Sequence, residues 1–194
     1  MDAKELRERL ERWLAQNSGY EERSYLGMSQ IFQCPANLYD QVVDGREEFQ
    51  GRAARMCYEG YLHERDMIAR LVDCGLYEEA GELVAPWDER FRGHPDGQVD
   101  GDVLEVKSVT AAKFEEVRKS NRALQHHYEQ VQIYLLYGRW ERGVIVYKCR
   151  ETGEIRPIVV WPHPPTQARL EEKAKAVLAA VDAGVRPKCE CGRH

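Results

Sequence analysis

The chain has 194 residues, 43% of them hydrophobic and 31% charged, which is enough apolar material for one ordinary core and little for a second. Its opening segment is charged from Asp2 onward without an apolar stretch of secretory type, and nothing later approaches the roughly 20 apolar residues that span a bilayer. A formal net charge of -5 excludes any global attraction to a polyanion, so contact with nucleic acid would have to rest on a local basic patch or a bound cation.

The expectation is a single domain over 1–194, cytoplasmic and with no membrane segment. It carries an N-terminal helical arm at about 1–28 and a cysteine-containing tail at about 184–194. Leu6, Leu10, Trp13 and Leu14 recur at helical spacing and predict an amphipathic helix over 3–16. A second helix is expected from Ser29 through Tyr39, interrupted by Pro35, and a long one over 50–74 with Gly75 as its stop. Residues 78–84 read as a short helix or a strand. From Phe91 to Val109 the pattern changes to short alternating runs broken by Gly and Asp, where a sheet begins. A helix near 125–137, a β-branched strand at 144–147, a strand at 155–161 and a closing helix over 166–183 complete a mixed α/β order.

The chemistry concentrates in residues 94–108, HPDGQVDGDVLEVKS. The Asp100-Gly101 pair is a strong signal for a two-residue hairpin turn. With that turn, Val99 faces Asp102, Gln98 faces Val103, Gly97 faces Leu104, and Asp96 lies opposite Glu105. Directly opposed side chains have Cβ atoms roughly 4.5–5.5 Å apart, and like charges there are destabilising unless a proton or cation intervenes. Alternation along the strand puts Val103, Glu105 and Lys107 on one face, so an ammonium joins the two acids. Magnesium suits such oxygen ligands, and a water bound to it is acidified towards a hydrolytic nucleophile. Lys107 would orient or deprotonate that water if its pKa is lowered, or else stabilise charge growing on a phosphate. The plainer alternative is an ordinary hairpin with a surface salt bridge.

These residues resemble the PD-(D/E)XK nuclease superfamily, in its RecB-like branch of CRISPR-associated and phage-type exonucleases. Pro95-Asp96 followed by Glu105-Val106-Lys107 matches the defining motif. GlyTyrLeuHis at 60–63 resembles the upstream helix element whose histidine, here His63, contributes to the metal site, with adjacent Glu64 as the alternative. GlnValGlnIleTyr at 130–134 resembles the downstream QxxxY element. Gln130 and Tyr134 share a helix face and are expected to reach Lys107, the bound water or a DNA phosphate. The resemblance implies a restriction-endonuclease-like core, a mixed central sheet flanked by helices, and dependence on Mg²⁺ or Mn²⁺. The metal ligands it implies are Asp96, Glu105, His63 and the Val106 carbonyl. The implied activity is DNA hydrolysis, on single strands or at free ends, with recombination, repair or CRISPR-adaptation proteins as candidate partners. The alternative is a catalytically silent nucleic-acid-binding or assembly module on the same fold.

Six cysteines without a secretory signal read as thiols or metal ligands. SerGlnIlePheGlnCysPro at 29–35 resembles the entrance of iron-sulfur RecB-like nucleases, which implies that Cys34 shares a cluster with tail cysteines. Cys189 and Cys191 are two where the family has three, so His194, Cys57 or Cys74 would complete an iron-sulfur or Zn²⁺ site. Read as residues alone, Cys57, Cys74 and Cys149 are small apolar side chains. Lys113, Arg118, Lys119 and Arg122, followed by His126 and His127, form the most basic stretch after the hairpin. They are candidate phosphate contacts or a solvated helix face, and carry no visible base-reading code.

Overall fold

The computed structural model describes residues 2–17, 24–45 and 51–189. Helix α1 (Ala3–Gln16) is capped by Asp2, whose carboxylate accepts from the Glu5 amide at 2.8 Å. After strand β1 (Leu26–Gly27) comes a short 3₁₀ turn at Met28–Gln30. Helix α2 (Pro35–Val43) then begins at the proline expected to interrupt a helix. The fixed φ of proline and its missing N–H suit the first helical position, so Pro35 starts an element instead of breaking one. Helix α3 (Gly51–Asp73) stops before Gly75, whose φ of 69° lies in the left-handed region.

Residues 77–85 hold two short strands, β2 (Tyr77–Glu78) and β3 (Leu83–Ala85), followed by β4 (Asp88–Gly93), β5 (Gly97–Val99) and β6 (Asp102–Val109). The basic stretch forms helix α4 (Ala111–Ser120), closed by Asn121 at φ 50°, and leads into α5 (Gln125–Gly138). Strands β7 (Gly143–Cys149) and β8 (Ile155–Val160) and helix α6 (Pro164–Ala183) complete the order.

The central sheet is mixed, with strand order β2-β5-β6-β7-β8, and β1-β4-β3 form a smaller sheet. Strands β6 and β7 are parallel, which a hairpin cannot provide, and the crossover between them is α4 and α5. Alternation along β6 and β7 separates two apolar sets. Val103, Val109, Ile145 and Tyr147 join Val131, Tyr134, Leu170 and Val177 of α5 and α6 in the larger core. Leu104, Val106 and Val146 pack with Met67 of α3 on the opposite face. Helices therefore cover both faces, and buried charge in the middle strand β6 is flanked by strands on both sides. Among the described residues no helix is long and apolar enough to cross a membrane.

Candidate active site

The β5–β6 hairpin carries the site and has the register that the Asp-Gly turn dictates: Val99 with Asp102, Gln98 with Val103, and Gly97 with Leu104. Asp100 and Gly101 have φ of 50° and 78°, the two positive angles that a tight turn matching the strand twist requires. Ladder pairing ends at Gly97, one residue short of Asp96. Gly97 has φ 154°, and a Cβ there would come within 2.9 Å of the Glu78 carbonyl and drive into the Tyr77 ring. Tyr77 occupies that space and donates its hydroxyl to the Asp96 carbonyl at 3.2 Å. The Asp96 side chain thus turns towards β6, where Oδ2 accepts from the Val106 amide at 2.6 Å.

Glu105 is 1% exposed, in the middle of the sheet. Its Oε1 contacts the Lys107 ammonium and accepts from Gln130 Nε2 at 2.8 Å. Its Oε2 is buried with no hydrogen-bond partner. Burial pushes the Glu105 carboxyl up to about 8, with repulsion from Asp96 and Glu64 adding to the rise and Lys107 opposing it. Glu64 of α3 is raised to about 7, by burial first and then by Asp96. Burial also raises Asp96, against the pull of Lys107 and the Val106 amide. Desolvation works to lower the Lys107 ammonium, but Glu105 and Asp96 outweigh it and its pKa ends above the ordinary value. Of the roles left open for Lys107, this environment favours a fixed positive charge over a base.

The helix-borne acid is one residue from the expected ligand. The charges acting on His63 are Lys148, Arg150, Glu59 and Asp66, and none belongs to the hairpin. Glu64, by contrast, senses Asp96 and Lys107. Successive helix residues point about 100° apart, so only one of two neighbours can face a given site. Gln130 and Tyr134 share one face as expected, but Gln130 meets Glu105 instead of Lys107. Gln130 also donates to the Tyr134 hydroxyl at 2.9 Å, and Tyr134 donates to the His94 carbonyl at 3.2 Å. Both side chains are buried. They bond to Glu105 and to the strand before Asp96. Tyr77 escaped sequence reasoning, and the only signal for it was a glycine beside the acidic residue.

The residues present fit a divalent cation. A buried carboxylate oxygen without a donor, beside two more acids of raised pKa, is the environment that a cation relieves. Among the described residues no three His, Cys, Asp or Glu side chains are already drawn together at ligand spacing, and the Lys107 ammonium contacts Glu105 in this arrangement.

Three solved structures share this architecture. Alkaline exonuclease LHK-Exo from Laribacter hongkongensis matches with a TM-score of 0.67 and 19% identity, over 83% of this chain and 89% of that one. Its complex with dAMP matches at 0.68 and 19%, over 90% and 93%. A phage-related exonuclease from Haemophilus somnus 129PT matches at 0.59 and 12%, over 82% and 94%. The chain has the restriction-endonuclease-like fold that these solved exonucleases share. At these identities the likeness is one of fold, and no family model or curated protein matches the sequence. Within this nuclease fold, the short strand β5, the longer strand β6 and helix α5 bring Asp96, Glu105, Lys107 and Gln130 to one place.

The other candidate residues separate into groups. Cys34, at the start of α2, and Cys189 come together with sulfurs 3.9 Å apart, although 155 residues separate them in sequence. Cys191 and His194 lie outside the described residues. Cys149 is buried as expected of an apolar cysteine, whereas Cys74 is exposed at the end of α3. In α4, Lys113 pairs with Glu116 at 2.8 Å and Arg118 with Glu115 at 2.7 Å, both exposed. The two histidines that follow are half-buried, and burial lowers the pKa of each. Burial, assisted by Lys107 and His126, lowers His127 to about 2, and its Nδ1 lies 3.0 Å from the Tyr147 hydroxyl. Burial and the charges of Lys107 and Lys113 lower His126 as well.

Proposed function

We propose that the chain is a Mg²⁺- or Mn²⁺-dependent deoxyribonuclease, cytoplasmic, that hydrolyses phosphodiester bonds in single-stranded DNA or at DNA ends. The observation that carries this reading is a fully buried Glu105 with one oxygen unsatisfied, flanked by Asp96, Glu64 and Lys107. A merely structural hairpin would have little use for three acids of raised pKa around a single ammonium. Asp96, Glu105 and Glu64 would hold the cation, with Glu64 taking the place expected for His63 and the Val106 carbonyl as a further oxygen.

The cation, when bound, supplies positive charge to the phosphate and acidifies the attacking water. Lys107 offers an N–H donor and a full charge to the non-bridging oxygen on which negative charge develops, within a desolvated site where that interaction is strong. Gln130 fixes the rotamer of Glu105 so that both oxygens stay in place, and the Val106 amide does the same for Asp96. Cys34 and Cys189 are proposed as two sulfur positions of an iron-sulfur or Zn²⁺ site completed by Cys191 and His194. Proteins of recombination, repair or CRISPR adaptation are the proposed partners.

The test is incubation of end-labelled single-stranded, duplex and circular DNA with the protein in Mg²⁺, Mn²⁺ or EDTA. Metal-dependent shortening of linear DNA, with circular DNA spared, is the expected result. If no form of DNA is cut but DNA is bound, the silent-module reading replaces this one.

A further inference from the structure

A cavity of about 430 Å³ lies on the flank of α5 away from the carboxylates, against the edge strand β8. Asn121, Arg122, Gln125, Tyr128, Trp161 and His163 line it, and no carboxylate does among the described residues. Its volume lies within the range of about 300–1,000 Å³ typical of small-ligand pockets.

The wall is anchored by a buried side chain. Trp161 is 62% exposed, yet its backbone is clamped by Gln132, which is fully buried. Gln132 Nε2 donates to the Trp161 carbonyl at 2.7 Å, and the His163 amide donates to Gln132 Oε1 at 2.8 Å. An indole left in solvent on an anchored segment is a surface prepared for stacking. The Arg142 guanidinium, which pairs with Asp102 at 2.7 Å, lies 5.9 Å from the Trp161 ring centroid and helps fix the indole. His163 Nδ1 lies 2.8 Å from the Thr166 hydroxyl and 3.3 Å from its amide, which ties the ring to the first turn of α6. Arg122 enters no ion pair among the described residues. Aromatic faces, amide side chains and an unpaired guanidinium without acids are the chemistry that takes an unpaired nucleobase and its phosphate.

Place supports that occupant over a free metabolite. Tyr128 and Gln130 are two residues apart on α5, about 200° around the helix, so one flank meets the cavity and the other the carboxylates. Glu105, Ile145 and Ile158 stand in register across β6, β7 and β8. Two strand spacings of about 4.8 Å put the backbone of the cavity wall roughly 10 Å from that of Glu105. A strand passing the N-terminal end of α5 would span both within a few nucleotides.

Resting on the nuclease reading, we infer that the cavity between α5 and β8 is an accessory nucleobase site that holds a single-stranded segment of the DNA substrate. The test measures anisotropy of fluorescein-labelled hexadeoxyadenylate with the full chain in EDTA, where no cleavage intervenes. Trp161→Ala and Arg122→Ala should each weaken binding at least about five-fold, as loss of a base-aromatic or phosphate contact does, and Trp161→Phe should restore most of it. A blunt duplex should compete poorly. Parent-like binding by Trp161→Ala, or equal competition by the duplex, overturns the inference. The two readings fail separately. If the chain cuts no DNA while binding still depends on Trp161, the site stands without the nuclease. If it cuts DNA while Trp161→Ala binds like the parent, only the site falls.

Discussion

Two lysine-carboxylate pairs sit on the neighbouring strands β6 and β7, and they behave in opposite ways. Lys148 donates to Asp66 at 2.6 Å, and that bond, with Arg70 adding to it, holds the Asp66 carboxyl below its ordinary value. Lys107 contacts Glu105 just as closely, yet Glu105 is driven up to about 8. The difference lies in surroundings. Asp66 reaches the rim of α3 with two cations and partial solvent, so its charged form is favoured. Glu105 is desolvated and shares one ammonium with two other acids, so the burial penalty on its charged form is only partly offset. A paired charge at a rim is structural, while an excess of buried acid marks a place where something else must bind.

The sharpest break of this comparison comes from removing the central groups. Glu105→Gln and Lys107→Ala should each slow cleavage by roughly 10²–10³ or more in single-turnover assays, because both act where phosphate charge develops. Lys107→Ala should keep its metal affinity, and Glu105→Gln should lose it, as read by calorimetry with Mn²⁺. Parent-like cleavage by Lys107→Ala would sink its assigned role.

Next in size is the contrast between adjacent helix residues. Glu64→Gln should weaken Mn²⁺ binding by about ten-fold, the lower end for a group that tunes a metal site. His63→Ala, beside Lys148 and Arg150, should leave it within two-fold. The reverse order would restore the histidine that the sequence suggested.

The acids also set the pH dependence of stability. Glu105 and Glu64 have folded values raised above 4.5, to about 8 and about 7, so the folded state holds more protons than the unfolded chain within that window. Stability of the metal-free protein should therefore fall as pH rises from about 5 to 8, by several degrees in Tm. Saturating Mn²⁺ should flatten that fall, because the cation replaces the protons. A metal-free Tm that rises over this range would refute the uncompensated-acid description.

The smallest effect on cleavage is expected at the rim. Asp66→Asn should cost on the order of 1–3 kcal/mol in urea unfolding, since Asp66 is partly solvated but the buried Lys148 ammonium loses its charged partner. Cleavage should stay within two-fold, and a large loss would move this pair into the site.

Much of the site was legible because it is local. The Asp-Gly turn fixes the hairpin register by backbone geometry alone, and alternation then puts Glu105 and Lys107 on one face. Gln130 and Tyr134 share a face because helix geometry places residues four apart together. The long helices were legible by periodicity, as was the β-branched strand expected at 144–147, which lies within β7. The end of the pairing at Gly97 was not, because the contact that shapes it is a Tyr77 ring twenty residues earlier. Nor was the choice between His63 and Glu64, which depends on how α3 is rotated over the sheet.

What the sequence by itself determined, then, is the chemistry within a hairpin or a helix turn, where bond geometry links the residues. Tertiary structure alone decided which side of α3 meets the acids and that His126 and His127 are half-buried with lowered pKa. It also decided that Trp161 stands exposed on a clamped edge. Each of these is a long-range packing outcome, set by which faces the sheet and its helices bury together and by the solvent that burial removes.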